Sequence, residues 1–389
     1  MAVENWVAKE VADLTEFRRD LHMNPELLYD VKRTAQKVAE ALRAAGVDEV
    51  HEGLGETGVV GVIRGQSNAS GRMVGLRADM DALPIIEETG KPYASQTPGK
   101  MHACGHDGHT TMLLGAARYL AESRAFDGTV IVIFQPAEEG GAGARAMIED
   151  GLFTRWPCDE VYGMHNRPNL PVGQFTINSG PIMGSVDELK ITITGRGGHA
   201  ARPEQTVDPL PIAGALLQAV QTLTSRNMDP IDSAVISLCT IQAGNAFNVI
   251  PQDLTMTGTV RTLREEVRDM IEERLEAMVG NIAAAYGAVG TLDYTRHYPV
   301  TVNHEHETEL AAKAAQEVAG VENVHLDMPQ TLGGEDFSFM LNEVPGAMIN
   351  VGNGPSAALH HPKYDFNDDV IAWGSSYWTT LVRQRLPLT

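Results

Sequence analysis

Two kinds of hydrophobic pattern alternate along the first half of the chain. In segments such as 31–46 and 110–124, apolar residues recur every three to four positions, which predicts amphipathic helices. Short apolar runs within 71–81 and 128–139 predict buried strands between these helices. Strands separated by helices form a mostly parallel sheet with helices on both faces, so we predict an α/β fold here.

The pattern changes near Ser185. Apolar and polar residues alternate with a period of two over 186–195, as in a strand with one solvated face. Helical and strand patterns then follow in the order β-α-β-β-α-β, the ferredoxin-like unit, and the first pattern resumes near residue 300. We therefore predict a discontinuous α/β domain at 1–184 and 300–389, into which a smaller α+β domain is inserted at 185–299.

Composition narrows the classes of partner. The 389 residues are 43% hydrophobic and 21% charged, the balance of a soluble globular protein, and no apolar run reaches the roughly 18 residues of a membrane helix. A formal net charge of −21 argues against nucleic acid and membranes as partners. Three cysteines do not suggest a disulfide framework, and the N-terminus lacks the features of a secretory signal, so a cytoplasmic location is predicted.

Polar clusters follow several predicted strands at their C-terminal ends. In a parallel sheet these ends lie along one edge, where α/β proteins bind ligands, so residues far apart in the sequence are expected to converge. The residues concerned are Arg77, Asp79 and Asp81 after one strand, Glu138 and Glu139 after the next, His165 after a third, and His360 and His361 after the last.

The stretch MHACGHDGH at 101–109 is the densest of the polar segments. Cys104 and His106 are two positions apart, so in an extended segment they would point to the same side. Thiolate, imidazole and carboxylate ligands together suit zinc, manganese, iron or cobalt better than calcium or magnesium. Two alternatives stay open: a redox site, which the absence of a C-x-x-C motif disfavours, and a polar loop before a capped helix.

Glu138 and Glu139 are adjacent carboxylates at a strand end. Because neighbouring side chains there point in different directions, one can bind a metal while the other faces a substrate water. A solvated acidic loop is the ordinary explanation of an isolated pair of this kind. His165 and His361, taken singly, are also more often core or loop histidines than ligands, so the metal interpretation depends on their convergence.

Three residues of the predicted inserted domain are candidates for substrate contacts. His199 lies in a glycine-rich turn after a strand, from which it could polarise a carbonyl or its oxyanion as part of a lid. Arg261 ends a predicted strand and offers a bidentate guanidinium for a carboxylate, and Asn248 is another possible donor to a substrate oxygen. The alternatives are a mobile exposed loop at His199 and a surface position for Arg261.

The motifs of this chain, taken in order from about His22 to Asp369, resemble those of a known protein family. The motifs are GLRADMDALP, MHACGHDGHT, QPAEEGGAGA, GMHN, GRGGHAARP, NVIP, GTVRT, GGEDFS and HHPKYDFND. They resemble the amidohydrolase and carboxypeptidase family that contains hippurate hydrolases, bacterial N-acyl-amino-acid amidohydrolases and plant auxin-conjugate hydrolases. The resemblance implies a zinc-peptidase-like catalytic domain that holds two divalent metal ions (manganese, zinc or cobalt) and an inserted lid and dimerisation domain.

The resemblance also implies roles for individual residues. The implied metal ligands are Cys104, His106, Glu139, His165 and His361. Glu138 resembles the general base, Asp79 the acid that orients a ligand, and His199 the lid histidine that reaches an active site. Many related hydrolases carry a metal-binding histidine where this chain has Arg77, so another ligand is expected from the Cys-Gly-His segment.

The predicted function is metal-dependent hydrolysis of the amide bond of an N-acyl or N-aroyl L-amino acid, which releases a carboxylic acid and the amino acid. In this hypothesis Glu138 deprotonates the attacking water, while Arg261 or Asn248 holds the substrate carboxylate. A metallocarboxypeptidase or dipeptidase with the same chemistry is the alternative, and a non-catalytic metal-dependent binding protein is disfavoured because Glu138 is intact. The resemblance also implies a homodimer or higher homo-oligomer.

Overall fold

The chain divides into two units, which are described separately. The structure is a computed structural model that describes residues 5–388. Unit 1 comprises the described residues up to Gly180, Val302–Pro329 and the described residues from Asp336 onward, and unit 2 comprises Pro181–Thr301 and Gln330–Glu335. The domain limits drawn from the sequence pattern stay a prediction.

Helices and strands alternate through most of the described chain. The helices are α1 (Asn5–Met23), α2 (Lys32–Ala44), α3 (His106–Ser123), α4 (Gly143–Glu149), α5 (Leu152–Arg155), α6 (Pro209–Arg226), α7 (Glu265–Ala285), α8 (Glu305–Ala319), α9 (Phe337–Glu343) and α10 (Val370–Arg385), with 3-10 turns at Pro203–Gln205 and Val321–Asn323. The strands are β1 (Glu49–Leu54), β2 (Gly58–Arg64), β3 (Met73–Asp79), β4 (Thr129–Gln135), β5 (Glu160–Pro168), β6 (Phe175–Thr176), β7 (Gly180–Met183), β8 (Val186–Thr194), β9 (Gly198–His199), β10 (Ala234–Ala243), β11 (Val249–Ile250), β12 (Asp253–Thr262), β13 (Val289–Tyr298), β14 (Thr301–Asn303), β15 (Val324–His325) and β16 (Gly346–Gly354). Within residues 5–388, none of the helices combines the length and apolarity needed to cross a membrane.

The large sheet of unit 1 has the strand order β1-β2-β4-β3-β5-β16-β6-β15. Its central strands β4, β3, β5 and β16 run parallel to one another, whereas β1, β2 and β6 join it through antiparallel pairing. All seven residues of β4 are buried, as expected for a strand that is covered on both faces. The predicted α/β fold with a mostly parallel sheet is confirmed.

The helices of unit 1 bury apolar faces in the core around this sheet. Helix α2 follows the predicted periodicity, and the chain leaves it at Gly46, whose left-handed φ of 77° favours glycine. Helices α3 and α10 approach closely, since a Cβ on Gly115 would lie only 2.5 Å from Ser375 Oγ. The same Ser375 hydroxyl donates to the Met112 carbonyl at 2.9 Å, so α10 is held against the helix that begins at His106.

Unit 2 is built on an antiparallel sheet of strand order β10-β12-β8-β13. Its residues alternate between buried and more exposed along β8, as the period of two predicts. Helices α6 and α7 contribute Leu216 and Ile271 to a core that also contains Ile191 of β8. Along the chain these elements follow the order β-α-β-β-α-β.

Candidate metal centre

Strands β3, β4 and β5 of unit 1 end at one edge of the sheet because they run parallel. Asp79 is the last residue of β3 and pairs with Gln135, the last residue of β4. Glu138 and Glu139 follow β4 within four residues, and His165 lies toward the end of β5. The structure therefore brings the polar residues that follow these strands to the same region of unit 1.

Cys104 and His106 converge because the chain turns sharply between them. Gly105 has a left-handed φ of 94°, and a Cβ there would lie 2.5 Å from Asn166 Oδ1. His106 is the first residue of α3, so Cys104 and His106 do not lie in an extended segment, contrary to the expectation from their spacing. Cys104 Sγ lies 3.4 Å from His165 Nε2, and ligand atoms of Cys104, His106 and His165 all lie within 4.8 Å of one another.

The hydrogen bonds of these histidines leave ring nitrogens for a metal ion. His165 Nδ1 donates to the Asn166 carbonyl at 2.7 Å, which leaves Nε2 unprotonated toward Cys104, and burial with nearby His109 lowers the pKa of His165 well below its ordinary value. His106 is buried, and its ring nitrogens make no regular hydrogen bond within residues 5–388, although Asp81 Oδ1 lies 3.5 Å from Nδ1. Buried polar groups of this kind are rare, and a divalent metal held by thiolate, imidazole and carboxylate groups would provide the partner.

A second group of possible ligands meets at Glu139. Its Oε1 lies 3.2 Å from His360 Nε2, and Cys104, Glu139 and His360 have ligand atoms within 4.8 Å of one another. His360 has an uncommon left-handed φ of 63°, and its N–H donates to the Ala103 carbonyl at 2.8 Å. Hydrogen bonds to Cys104 and Glu139 raise the pKa of His360 to about 10.

His361, the ligand expected from the sequence, belongs to none of the candidate clusters formed by residues 5–388. It is exposed, as is His360, and its Nδ1 accepts a hydrogen bond from the Lys363 N–H at 3.0 Å. Adjacent side chains point in different directions, and in this loop the left-handed backbone at His360 directs that residue to Glu139. His360, rather than the predicted His361, is therefore the histidine of the HHP segment that lies beside Glu139 and Cys104, and the identity of the metal ligand in this segment stays a prediction.

Asp79 has both carboxylate oxygens engaged within unit 1. Oδ1 lies 2.7 Å from His109 Nδ1, and Oδ2 accepts from Arg77 Nη1 at 2.8 Å. Burial alone would raise the pKa of Asp79, but His106, Arg77 and His109 outweigh it and hold the pKa well below its ordinary value. His109 Nε2 in turn lies 3.0 Å from the backbone nitrogen of Asn166, so Asp79 orients a histidine that is also tied to β5.

Arg77 connects the elements around the site through hydrogen bonds. Its buried guanidinium donates to Asp79, to Asp336 at 2.9 Å and to Gln135 at 2.8 Å. An arginine is always protonated and cannot act as a metal ligand, so Arg77 serves the structure of the site.

Glu138 is buried beside the candidate ligands. One of its carboxylate oxygens lies within 4.8 Å of ligand atoms of His106 and Glu139. The backbone is left-handed at Ala137, with a φ of 54°, and at Gly140, with a φ of 94°. A left-handed alanine is costly, and such residues cluster at functional sites, so the geometry is consistent with the predicted role of Glu138.

The three predicted substrate contacts belong to unit 2. His199 is exposed on β9, where its Nδ1 accepts from the Ala201 N–H at 3.1 Å, which leaves Nε2–H as a donor. The Asn248 carbonyl accepts from the Ala200 N–H at 3.1 Å. Arg261 is half-buried, donates to the Val260 carbonyl at 2.9 Å and to the Thr259 hydroxyl, and has its pKa lowered by desolvation.

Two aspartates that support the site received no role from the sequence. Asp336 accepts from Arg77, from the Gln135 amide at 2.8 Å and from the Ala144 N–H at 2.9 Å. Asp81 accepts from two backbone N–H groups of the loop after β4. The GGEDFS and RADMD motifs contain these residues, but the distant partners that define their roles are visible only in the fold.

Comparison with known proteins identifies relatives that match nearly the whole chain. Residues 75–384 match the profile of "Peptidase family M20/M25/M40". The chain is 42% identical over 381 residues to the hippurate hydrolase of Campylobacter jejuni, an alignment that covers 97% of this chain and 98% of that protein. It is 38% identical over 369 residues to the N-acetylcysteine deacetylase of Bacillus subtilis, with 95% of each chain covered.

A solved structure gives the same result at the level of the fold. A dinuclear metal-binding peptidase of the M20 family from Bacillus subtilis superposes with a TM-score of 0.85 at 35% identity. The superposition covers 96% of this chain and 98% of the other. Both units of the present structure therefore have counterparts in that protein.

Proposed function

Because the chain belongs to peptidase family M20/M25/M40, we propose that it hydrolyses the amide bond of an N-acyl or N-aroyl L-amino acid with two divalent metal ions. The observation that carries the proposal is the group of Cys, His and Glu side chains around the buried Cys104 and His106, with a further buried carboxylate, Glu138, beside it. Its likeness to a hippurate hydrolase, an N-acetylcysteine deacetylase and a dinuclear metal-binding peptidase supports both the reaction and the cofactor.

Five side chains of unit 1 fit the role of metal ligands. They are Cys104, His106, Glu139, His165 and His360. When bound, divalent metal ions polarise a substrate carbonyl and lower the pKa of a bound water. The donor set suits manganese, zinc or cobalt, and the native metal among them is to be identified by activity after reconstitution with each.

In the proposed mechanism, the Glu138 carboxylate takes a proton from the attacking water and delivers it to the leaving amine. Asp79 keeps His109 in place through the short contact to Nδ1 and thereby supports the strand that carries His165. For unit 2, we propose that His199 donates its Nε2–H to the oxyanion, a role that the acceptor state of its Nδ1 supports.

Arg261 and Asn248 are proposed to bind the carboxylate of the amino-acid half of the substrate. The half-buried guanidinium of Arg261 has the planar geometry that matches a carboxylate, and the Asn248 amide can add one further donor. Substitution of Arg261 by lysine should raise KM for acyl amino acids much more than it lowers kcat, because the interaction is present in the ground state. An unchanged KM would remove Arg261 from this role.

The central test is Glu138→Gln. The amide keeps the shape of the side chain but cannot accept a proton, so turnover should fall by about 10²–10⁴-fold while metal content is retained. Substrates would be N-acetyl, N-benzoyl and indole-acetyl amino acids together with dipeptides, each with manganese, zinc or cobalt. Glu149→Gln is the control, because Glu149 is an exposed residue of α4. Near-wild-type turnover in Glu138→Gln would reject its role as general base.

The same substrate panel separates the competing functions. Hydrolysis of acyl amino acids with little activity on dipeptides supports the proposal, and the reverse preference supports the carboxypeptidase or dipeptidase alternative. If no compound is hydrolysed although metal is bound, a metal-dependent binding protein is favoured.

We also propose that the protein is a homodimer that pairs through unit 2. Strand β10 is an outer strand of its sheet and carries the exposed Ile241, with the exposed Phe247 and Val249 close behind it in the chain. An exposed strand edge with apolar side chains favours association. Ile241→Asp should give a monomer in light scattering after size exclusion, whereas Val289→Asp on the opposite outer strand β13 should not change the assembly. A dimer that survives Ile241→Asp would contradict this interface.

A cytoplasmic location is proposed on the basis of the cysteines. Cys104, Cys158 and Cys239 are all free thiols, and the first of them is a proposed metal ligand that oxidation would remove. Fractionation of cells that express the protein, with detection by antibody, would test this location.

A further inference from the structure

Asp81 joins two parts of the candidate metal centre. It lies two residues beyond the end of β3 and is buried. Its Oδ1 accepts from the Glu138 N–H at 2.9 Å, and its Oδ2 accepts from the Glu139 N–H at 3.1 Å. One carboxylate therefore holds two consecutive peptide groups, which carry the proposed base and a proposed metal ligand.

The loop that carries Glu138 and Glu139 needs such support. Ala137 on one side of the pair and Gly140 on the other are both left-handed, a conformation that an alanine rarely adopts without constraint. Two hydrogen bonds to adjacent peptides fix the planes of these peptides. The directions in which the two glutamate side chains leave the backbone are thereby fixed as well.

The same carboxylate faces a proposed ligand from another segment. Asp81 Oδ1 lies 3.5 Å from His106 Nδ1, whereas His106 Nε2 lies 3.8 Å from Asp79 Oδ2 and 3.9 Å from Glu139 Oε1. A carboxylate on the far side of a ligating imidazole fixes the orientation of the ring and increases its basicity. Asp81 is thus placed to align His106 and the glutamate pair with respect to each other.

We propose that Asp81 is a positioning residue of the metal centre, which directs Glu138 and Glu139 toward their tasks and orients His106 without contacting the substrate. This inference rests on the proposed function only for the identity of the reaction. It also implies that Asp81 increases the affinity of the site for metal, and this affinity can be measured without any substrate.

A matched control exists elsewhere in unit 1. Asp127 is also buried, and its two oxygens accept from the consecutive N–H groups of Ala69 and Ser70 at 2.7 Å and 2.9 Å. These residues belong to none of the candidate metal clusters formed by the described chain. Asp81→Asn and Asp127→Asn therefore each disrupt a carboxylate that accepts from two consecutive backbone N–H groups. Asp81 lies beside the candidate metal ligands, whereas Asp127 lies away from them.

The experiment compares these two variants with the wild type in cobalt titrations and in steady-state kinetics. The asparagine oxygen can accept from only one peptide, and its NH₂ group then faces the other N–H. Cobalt affinity, followed by the absorption of the thiolate-bound ion, should fall by about 10–100-fold in Asp81→Asn, and kcat should fall by a similar factor while KM changes little. Asp127→Asn should lower the melting temperature only. Wild-type cobalt affinity and kcat in Asp81→Asn, or equal losses in both variants, would overturn the inference.

A second variant covers the case in which Asp81→Asn does not fold. Asp81→Ser keeps one small acceptor, leaves space for water and should show the same loss of cobalt affinity. If neither Asp81 variant folds while Asp127→Asn does, the residue acts in folding and its assignment as a positioning residue is wrong. If the wild type binds cobalt but hydrolyses none of the acyl amino acids or dipeptides, the proposed function fails while the cobalt titrations still decide the role of Asp81.

Discussion

Stability should depend on pH through a buried ion cluster at the start of α3. His22 of α1 contacts Asp107 of α3 at 2.8 Å through Nδ1 and lies 3.4 Å from Glu87 through Nε2. Arg18 of α1 donates to the same Asp107 oxygen at 3.2 Å. The side chains of Arg18, His22 and Asp107 are fully buried, so solvent does little to screen these interactions.

The pKa of His22 sets the size and the sign of the effect. Burial opposes protonation and lowers this pKa, but Asp107 and Glu87 outweigh burial and raise it from 6.5 to about 9. A folded state with the higher pKa binds the proton more tightly than the unfolded state. The stabilisation is therefore complete below pH 6.5 and is lost as the pH rises through 9. At about 1.36 kcal/mol for each tenfold change in proton affinity, it amounts to about 3 kcal/mol.

The assay is urea-induced unfolding of the metal-free protein between about pH 6 and pH 9.5, a range that spans both pKa values. We expect the wild type to lose about 3 kcal/mol more than His22→Gln over this range. The comparison between variants is needed because Cys104 and His360 titrate in both proteins. Their contributions to the pH dependence of the unfolding free energy cancel in the difference. His51→Gln is the control, because His51 and its partner Glu49 are both partly exposed, and such pairs contribute little. An identical pH dependence in the wild type and His22→Gln would refute the reasoning.

The metal site and the core offer two further tests. Zinc loading near pH 7.5 should release about two or more protons, because His360 has a pKa of about 10 and burial raises the pKa of the Cys104 thiol. Calorimetry in two buffers of different ionisation enthalpy measures this release, and less than one proton would contradict it. Gly108→Ala should cost about 1–3 kcal/mol in thermal unfolding, because a Cβ there would lie 2.2 Å from the Phe366 ring. Gly280→Ala, where nothing lies within 4 Å, should leave the melting temperature unchanged or raise it.

The sequence was most informative where regular structure decides position. Parallel strands end at one edge of their sheet, so the sequence alone predicts that the segments that carry Asp79, Glu138 and His165 converge. The period of two in β8 likewise follows from the pleat of a strand with one buried face. In these cases the residue pattern and the geometry of the element are directly linked.

The sequence was least informative where local backbone conformation or a distant partner decides which side chain faces the site. His360 and His361 are adjacent and chemically equal, and the ring that faces Glu139 is that of His360, the residue with the left-handed φ of 63°. The roles of Asp81 and Asp336 depend on partners more than 50 residues away, which periodicity cannot identify. Such residues become recognisable only when the fold brings their partners to them.

The charges around the metal centre connect these observations. Four acidic side chains lie at the ends of β3 and β4 or just beyond them, namely Asp79, Asp81, Glu138 and Glu139. Arg77 compensates Asp79 and Asp336, but a buried carboxylate without a nearby positive charge is costly. The remaining positive charge must come from protonated imidazoles or from metal ions, and neighbouring acidic groups accordingly raise the pKa values of His106 and His360 despite the burial of the site. Protons and metal ions therefore compete for one set of ligands, and metal affinity should weaken as the pH falls.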